Sequence, residues 1–225
     1  MNRSLIGELV LKDWRLYRPM ILSCMVAGAG ALALSQWGNE PTLVVGAVAF
    51  FIAIIMAATM LPLAGILTER KNKHLAFLMS LPITFLEYTT AKLISTLLIF
   101  LVPWFTLVTL AISVIGFRNF VPHGVIPMTL ILCGLPFVGM CIMIAAALVG
   151  ESEGWAIAAN VFCQSSYGLT WYFLNRIPVL HNNASKPKPV WDPLTLNILG
   201  GELVLILVIL ALTYFLQSRK RDFVF

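Results

Sequence analysis

Apolar residues gather into six long runs, and the charged and proline residues collect between them. The runs cover about Pro19–Trp37, Leu43–Leu67, Leu93–Gly116, Val125–Val149, Trp155–Leu174 and Leu196–Leu216. Each is long enough to cross a hydrocarbon core roughly 30 Å thick at about 1.5 Å of rise per residue. Backbone groups inside lipid find no water, so an open-ended crossing must be an α-helix. The pattern predicts an all-α, polytopic membrane protein with six transmembrane helices, organised as a single transmembrane domain over residues 1–225.

Three connections carry further pattern. Over residues 4–18, Ile6, Val10, Trp14 and Tyr17 share one helical face, and Glu8, Lys12 and Arg15 share the opposite one. Residues 1–18 therefore read as an N-terminal amphipathic helix lying in the headgroup plane, with Asp13 a blemish near its apolar face. The plainer alternative is an extension of the first span. Residues 1–33 also have the outline of a signal peptide, but the 18-residue leader is long and Glu8 and Asp13 spoil its charge.

The loop at 68–92 begins polar, from Thr68 to His74, and then turns apolar. Leu75, Leu78 and Met79 stand at i, i+3 and i+4, which predicts a short helix with one apolar stripe. Ser80-Leu81-Pro82 stops it, because proline cannot continue a helix interior. Thr84-Phe85-Leu86-Glu87 has the form of a capping box and predicts a new helix through Lys92 into the third span. In the loop at 175–195, Asp192-Pro193 predicts a helix start, N-cap followed by N1. Asn183-Ala184-Ser185 matches a glycosylation triplet by pattern alone.

Composition narrows the class. Of 225 residues, 60% are hydrophobic and 11% charged, where a soluble domain carries about 25% charged residues. The mean hydropathy is +0.91. A soluble globular enzyme, a disordered chain and a disulfide scaffold are excluded on this count. The net charge of +5 says less than its distribution. Eleven of the fifteen Lys and Arg fall before the first span, between spans 2 and 3, or after span 6; Arg118, Arg176, Lys186 and Lys188 make up the rest. The positive-inside rule then places both termini and the 68–92 loop in the cytoplasm and the 175–195 loop outside, in a cell (inner) membrane.

Chemistry inside the spans is sparse. The interiors of spans 1 to 5 hold no Asp, Glu, Lys, Arg or His, and Glu202 sits about two turns into span 6. Ion-coupled carriers use intramembrane ionisable residues, so a proton-driven antiporter is disfavoured, and Glu202 reads as an interfacial, partly hydrated carboxylate. His74, His123 and His181 lie on different connections, which offers no catalytic or metal cluster. Cys24, Cys133, Cys141 and Cys163 all lie in apolar runs and read as small packing residues. No G-x-x-x-x-G-K-[ST] is present, so the chain has no P-loop for ATP. The most polar intramembrane face is Asn160, Gln164, Tyr167 and Trp171, spaced +4, +3, +4. It lines a substrate path on one reading and is helix–helix glue on the other. The small-residue runs at 27–31 and 145–147 read as close-packing surfaces.

The segment Glu69-Arg70-Lys71-Asn72-Lys73-His74-Leu75-Ala76-Phe77-Leu78-Met79-Ser80-Leu81-Pro82, continuing to Glu87-Tyr88 and Lys92, resembles the inner loop of type-2 ABC transporter permeases. Leu11-Lys12-Asp13-Trp14-Arg15 resembles that family's N-terminal pattern, and six spans with both termini inside complete the likeness. Asn72-Lys73-His74-Leu75-Ala76 departs from it, standing where the family has a Gly-Thr-Leu-Glu-like turn.

The resemblance implies a membrane subunit of an ATP-binding cassette exporter that is not itself an enzyme. It would work as a dimer with a second copy or a related permease, embedded in membrane lipid, with no nucleic acid partner. The chain would hold no cofactor; ATP and Mg would be bound by a separate ABC ATPase subunit. Glu69, Arg70, Asn72, His74, Leu75, Leu78 and Met79 would form the coupling helix that contacts that subunit. The uncharged spans suit a lipophilic or amphiphilic cargo. A non-transporting ABC-like complex for sensing or for heme and cofactor biogenesis, heme-related export, and an ion-coupled carrier are the alternatives.

Overall fold

The computed structural model describes residues 3–37, 40–67, 85–117, 121–150 and 153–219, and among these there is no strand. The helices are α1 (Arg3–Leu34), α2 (Glu40–Pro62), α3 (Phe85–Phe117), α4 (Val125–Val149), α5 (Glu153–Arg176), the short α6 (Pro178–Ala184) and α7 (Pro193–Arg219). After Pro62, α2 widens into one π-helical stretch, Leu63–Leu67. The start of α7 falls where the Asp-Pro signal puts it, and Pro178 opens α6 from the N-terminal turn, where a missing N–H costs nothing.

Five helices, α1, α2, α3, α4 and α7, are long and apolar enough to cross a membrane. The predicted fifth span, α5, has the length, 24 residues, but is diluted by Asn160, Gln164, Ser165, Ser166 and Asn175. The predicted helix in the headgroup plane is not a separate element: α1 runs unbroken through Pro19, so residues up to 18 extend the first span. Trp14 and Tyr17, on the predicted apolar face, pack on the main apolar core, and α1 lies against α2 and α3.

Successive long helices run antiparallel, and particular contacts fix this. Asp13 meets Lys92 and Gly28 meets Leu107, so α1 and α3 are parallel. Trp104 meets Cys133, and Phe100 stacks at a tilt on Phe137 with ring centroids 5.6 Å apart, so α3 and α4 are antiparallel. Gly134 meets Glu202 and Leu148 meets Gln217, so α4 and α7 are parallel. The return between them is α5: Trp155 lies beside Gly150, Cys163 beside Gly139, and Leu174 beside Ile131. One end of the bundle, the near end, carries the starts of α1 and α3. The far end carries the connections α1–α2 and α3–α4 together with α6.

At the centre stands α4, packed against α2, α3, α5 and α7. It is the most buried of the five apolar helices, and α7 is the least. Its side chains Ile131, Cys133, Met140, Cys141 and Ile144 are fully enclosed. Cys133, Cys141 and Cys163 are buried in these seams and Cys24 is half-buried, all four as free thiols. The small run at 27–31 packs only in part: Gly28 and Ala31 are buried, whereas Ala27 and Gly30 are exposed.

Candidate functional site

At the near end, α1 grips both stems of the loop that follows α2. On the first stem, the Tyr17 hydroxyl donates to the carbonyl of Ala64, 2.9 Å away in the π-helical stretch. A π turn lets carbonyls of the widened turn take a partner outside the helix. On the second stem, Lys92 Nζ donates to Asp13 Oδ2 at 2.8 Å, and Ser95 Oγ donates to the same oxygen at 2.8 Å. Asp13 is 4% and Lys92 3% exposed, so this is an ion pair removed from water. Charge is tolerable there because each ion has its counter-charge and the carboxylate gains a hydroxyl donor. Asp13 is thus no blemish in an amphipathic pattern. Its partner lies 79 positions along the chain, beyond the reach of any periodicity.

The predicted coupling-helix residues Glu69, Arg70, Asn72, His74, Leu75, Leu78 and Met79 lie outside the described residues. What the structure does describe are the two stems from which that loop springs, and both are bonded to α1.

The polar face of α5 is divided. Asn160 and Tyr167 turn toward α4, Gln164 is exposed, and Trp171 is half exposed at the far end, its ring 6.5 Å from that of Phe51 on α2. The helical phase explains the division. Ala156, Cys163 and Leu174 mark the buried centre of α5, and Gln164 stands about 100° around the helix from Cys163. Within this chain the four residues do not share one channel. Cys163 Sγ donates weakly to the carbonyl of Gly139, 3.8 Å away, and the Tyr167 hydroxyl rests against the α-carbon of the same glycine. A Cβ at Gly139 would overlap that hydroxyl, so only glycine admits it. The Tyr167 hydroxyl and Asn160 Oδ1 are buried, and neither has a hydrogen-bond partner among the described residues.

Glu202 behaves unlike the interfacial, hydrated carboxylate read from the sequence. It is 8% exposed, and its carboxylate lies in the notch that Gly134 leaves on α4, where a Cβ would collide with Oε2. Its Oε1 has no partner among the described residues. Two glycines five positions apart on α4 thus receive a polar tip from each neighbour, Glu202 of α7 and Tyr167 of α5. A third tie, from the Gln217 amide to the carbonyl of Leu148, joins α7 to α4 at the near end. Neither glycine was singled out in the sequence; their signal is a gap in an otherwise bulky helix.

The far-end connection is built around Asn183. Its amide nitrogen donates to Asp192 and its oxygen accepts from Lys186 Nζ at 2.6 Å. The side chain is buried, so the glycosylation triplet has no accessible acceptor. The carbonyl of Lys186 accepts from the N–H of Gly124 at 3.0 Å, which clamps this connection over the start of α4.

An all-helical bundle of long apolar helices, alternating in direction and clamped at the stems of one loop, defines a multi-pass membrane protein. The model of the ABC-2 family transporter proteins matches residues 8–220. The chain therefore belongs to the ABC-2 type transporter permease family, whose members are membrane subunits generally without an ATPase site of their own and associate with an ABC ATPase subunit, typically as dimers. No curated protein and no solved structure matches the chain.

Proposed function

We propose that residues 1–225 form the membrane subunit of an exporter for a lipophilic or amphiphilic cargo, working in a cell (inner) membrane with a second permease chain. A separate ATPase, which binds ATP and Mg, drives it. The family match over residues 8–220 carries this reading. The chain crosses six times, with α5 as the sixth passage: α4 and α7 run the same way, so the segment between them must return across the same thickness. Six crossings put both termini on one side, and the basic excess makes that side the cytoplasm.

The clamp supplies the mechanical part. ATP-driven movement of the ATPase pair reaches the loop between α2 and α3. Because Tyr17 holds one stem and Asp13 the other, α1 moves with that loop, and a displacement at the loop is passed to three helices at once. ATP can shift inward- and outward-facing populations only through such a differential contact. Asn160, Gln164, Tyr167 and Trp171 are the residues we assign to the cargo path, Gln164 from its position on the outer face of α5.

The test is Leu78→Asp. An acidic side chain on the apolar stripe of the coupling helix cannot be buried in an ATPase groove without a partner. The variant should insert normally and lose its ATPase in pull-down, or keep it with ATP hydrolysis detached from transport. Normal binding and normal transport would overturn the assignment. A second reading, an ion-coupled carrier, has one observation in its favour, the buried Glu202 Oε1 that has no partner among the described residues. Transport abolished by a protonophore in the presence of ATP would favour it.

A further inference from the structure

At the far end of the bundle, the outer turns of α1, α2, α3 and α4 leave a partly open space of about 280 Å³. Leu43 and Phe50 form one wall and Ala111, Met128 and Leu132 the other, with Trp171 of α5 at the edge. Among the described residues, no charged side chain lines it. Three polar residues do, and each already has an acceptor for its donor. Thr129 Oγ1 donates to the carbonyl of Val125 at 3.1 Å, Ser35 Oγ to that of Leu32 at 2.6 Å, and Gln36 Nε2 to Ser35 Oγ at 3.2 Å. Ser35 and Gln36 follow the last residue of α1, so the polar rim lies at one end and the apolar floor toward the middle of the bundle.

Size and chemistry select the occupant. Water needs two to four polar partners, and a cavity of about 150 Å³ lined by apolar side chains stays dry. This space is larger, and its three polar side chains already spend their donors on protein acceptors. A flexible hydrocarbon chain brings no polar group that the lining would have to satisfy, so it suits this space. The partly exposed Leu43, Ile115 and Met128 show that it opens on the side of the bundle. In a chain that crosses the bilayer, that side meets acyl chains.

We propose that this cavity is a binding site for one acyl chain of a bilayer lipid from the leaflet at the far end, with the headgroup beside Ser35 and Gln36. The site requires only that the chain crosses the membrane. It holds whether or not the chain works with an ATPase. What favours entry is contact: a void leaves its lining without neighbours, and a flexible chain restores them. The gain is in packing, because the chain leaves one hydrocarbon medium for another.

Full-length protein in vesicles of phosphatidylcholine bearing a diazirine midway along one acyl chain tests this, with adducts mapped by mass spectrometry after photolysis. Adducts should concentrate at 47–51, 111–115 and 128–132. Ala47→Phe, which fills the space from the half-buried wall, should lower them at least five-fold and leave adducts on the exposed stretch 203–208 of α7 unchanged. Val114→Phe repeats the test from α3 should Ala47→Phe not fold. Wild-type adducts confined to exposed faces such as 203–208, or unchanged cavity adducts in a folded filled variant, would overturn the proposal. Cavity adducts that vanish when ATP and an ATPase partner are supplied would mean that the occupant is the transported cargo and would equally overturn a resident lipid. The labelling needs no ATPase, so its failure stands apart from a failure of the exporter reading.

Discussion

The near-end clamp gives the sharpest quantitative test. Lys92→Met keeps the length of the side chain and removes the ammonium, so the Asp13 carboxylate stays buried with only a hydroxyl donor opposite. Coulomb's law at an effective dielectric constant of 20 gives roughly 6 kcal/mol for unit charges 2.8 Å apart. Desolvation of the two ions offsets most of that, at several kcal/mol per ion. The intact pair is therefore near break-even, but removing one partner leaves an uncompensated charge and costs about 3–5 kcal/mol. For a chain of this size that is on the order of 10 °C in Tm. Asp13→Leu removes the carboxylate that faces Lys92. The double variant Asp13→Leu/Lys92→Met has no buried charge and should recover most of the loss. The assay is the monodisperse fraction of purified protein in detergent after heating across a range of temperatures. A cycle in which the two single losses simply add would show that the groups do not interact. A Lys92→Met protein melting within about 2 °C of the native chain would refute the burial argument outright.

Gly139→Val drives a branched side chain into the Tyr167 hydroxyl and should cost about 1–3 kcal/mol by overpacking, read in the same melting assay. Tyr167→Phe removes a buried hydroxyl without a partner and should leave stability unchanged or slightly higher; a clear loss would mean that the hydroxyl has a partner in the assembled complex. Gln164→Leu should alter transport or cargo-stimulated ATP hydrolysis with assembly intact, and loss of dimer with unchanged specific activity would assign Gln164 to packing instead. Cysteine placed at the exposed Lys188 should be labelled by an impermeant reagent from outside intact cells, and labelling only after the membrane is opened would reverse the orientation.

The sequence made the helices legible and left most of their side-chain partners hidden. Apolar runs of membrane length fix α1 to α4 and α7, and the start of α7 follows from local Asp-Pro chemistry, which acts within one turn. The α5 stripe was recognisable as a polar face, but which of its members turns inward depends on where α4 lies. Asp13 and Glu202 were misread for a shared reason. A lone charge in an apolar pattern looks hydrated until its neighbour is known, and the neighbours are Lys92, 79 positions away, and a notch at Gly134. Tyr17, read as part of an apolar helical face, finds its acceptor in a π turn that no periodicity signals.

The parallel course of α4 and α7 bears on how the chain is made. Synthesis delivers α4 before α5, and α5 is the helix least able to enter lipid on its own composition. The notch at Gly139 on α4 is in place by the time α5 emerges, so α4 can act as the surface on which α5 partitions into the bilayer. If α5 failed to cross, α7 would meet the membrane from the wrong side, and neither Glu202 nor Gln217 could reach its place on α4. On the proposed six-span reading, membrane insertion of the last two long helices depends on a helix already inserted, and damage to α4 should surface as a topology defect in newly made chains before it surfaces as lost stability in finished ones.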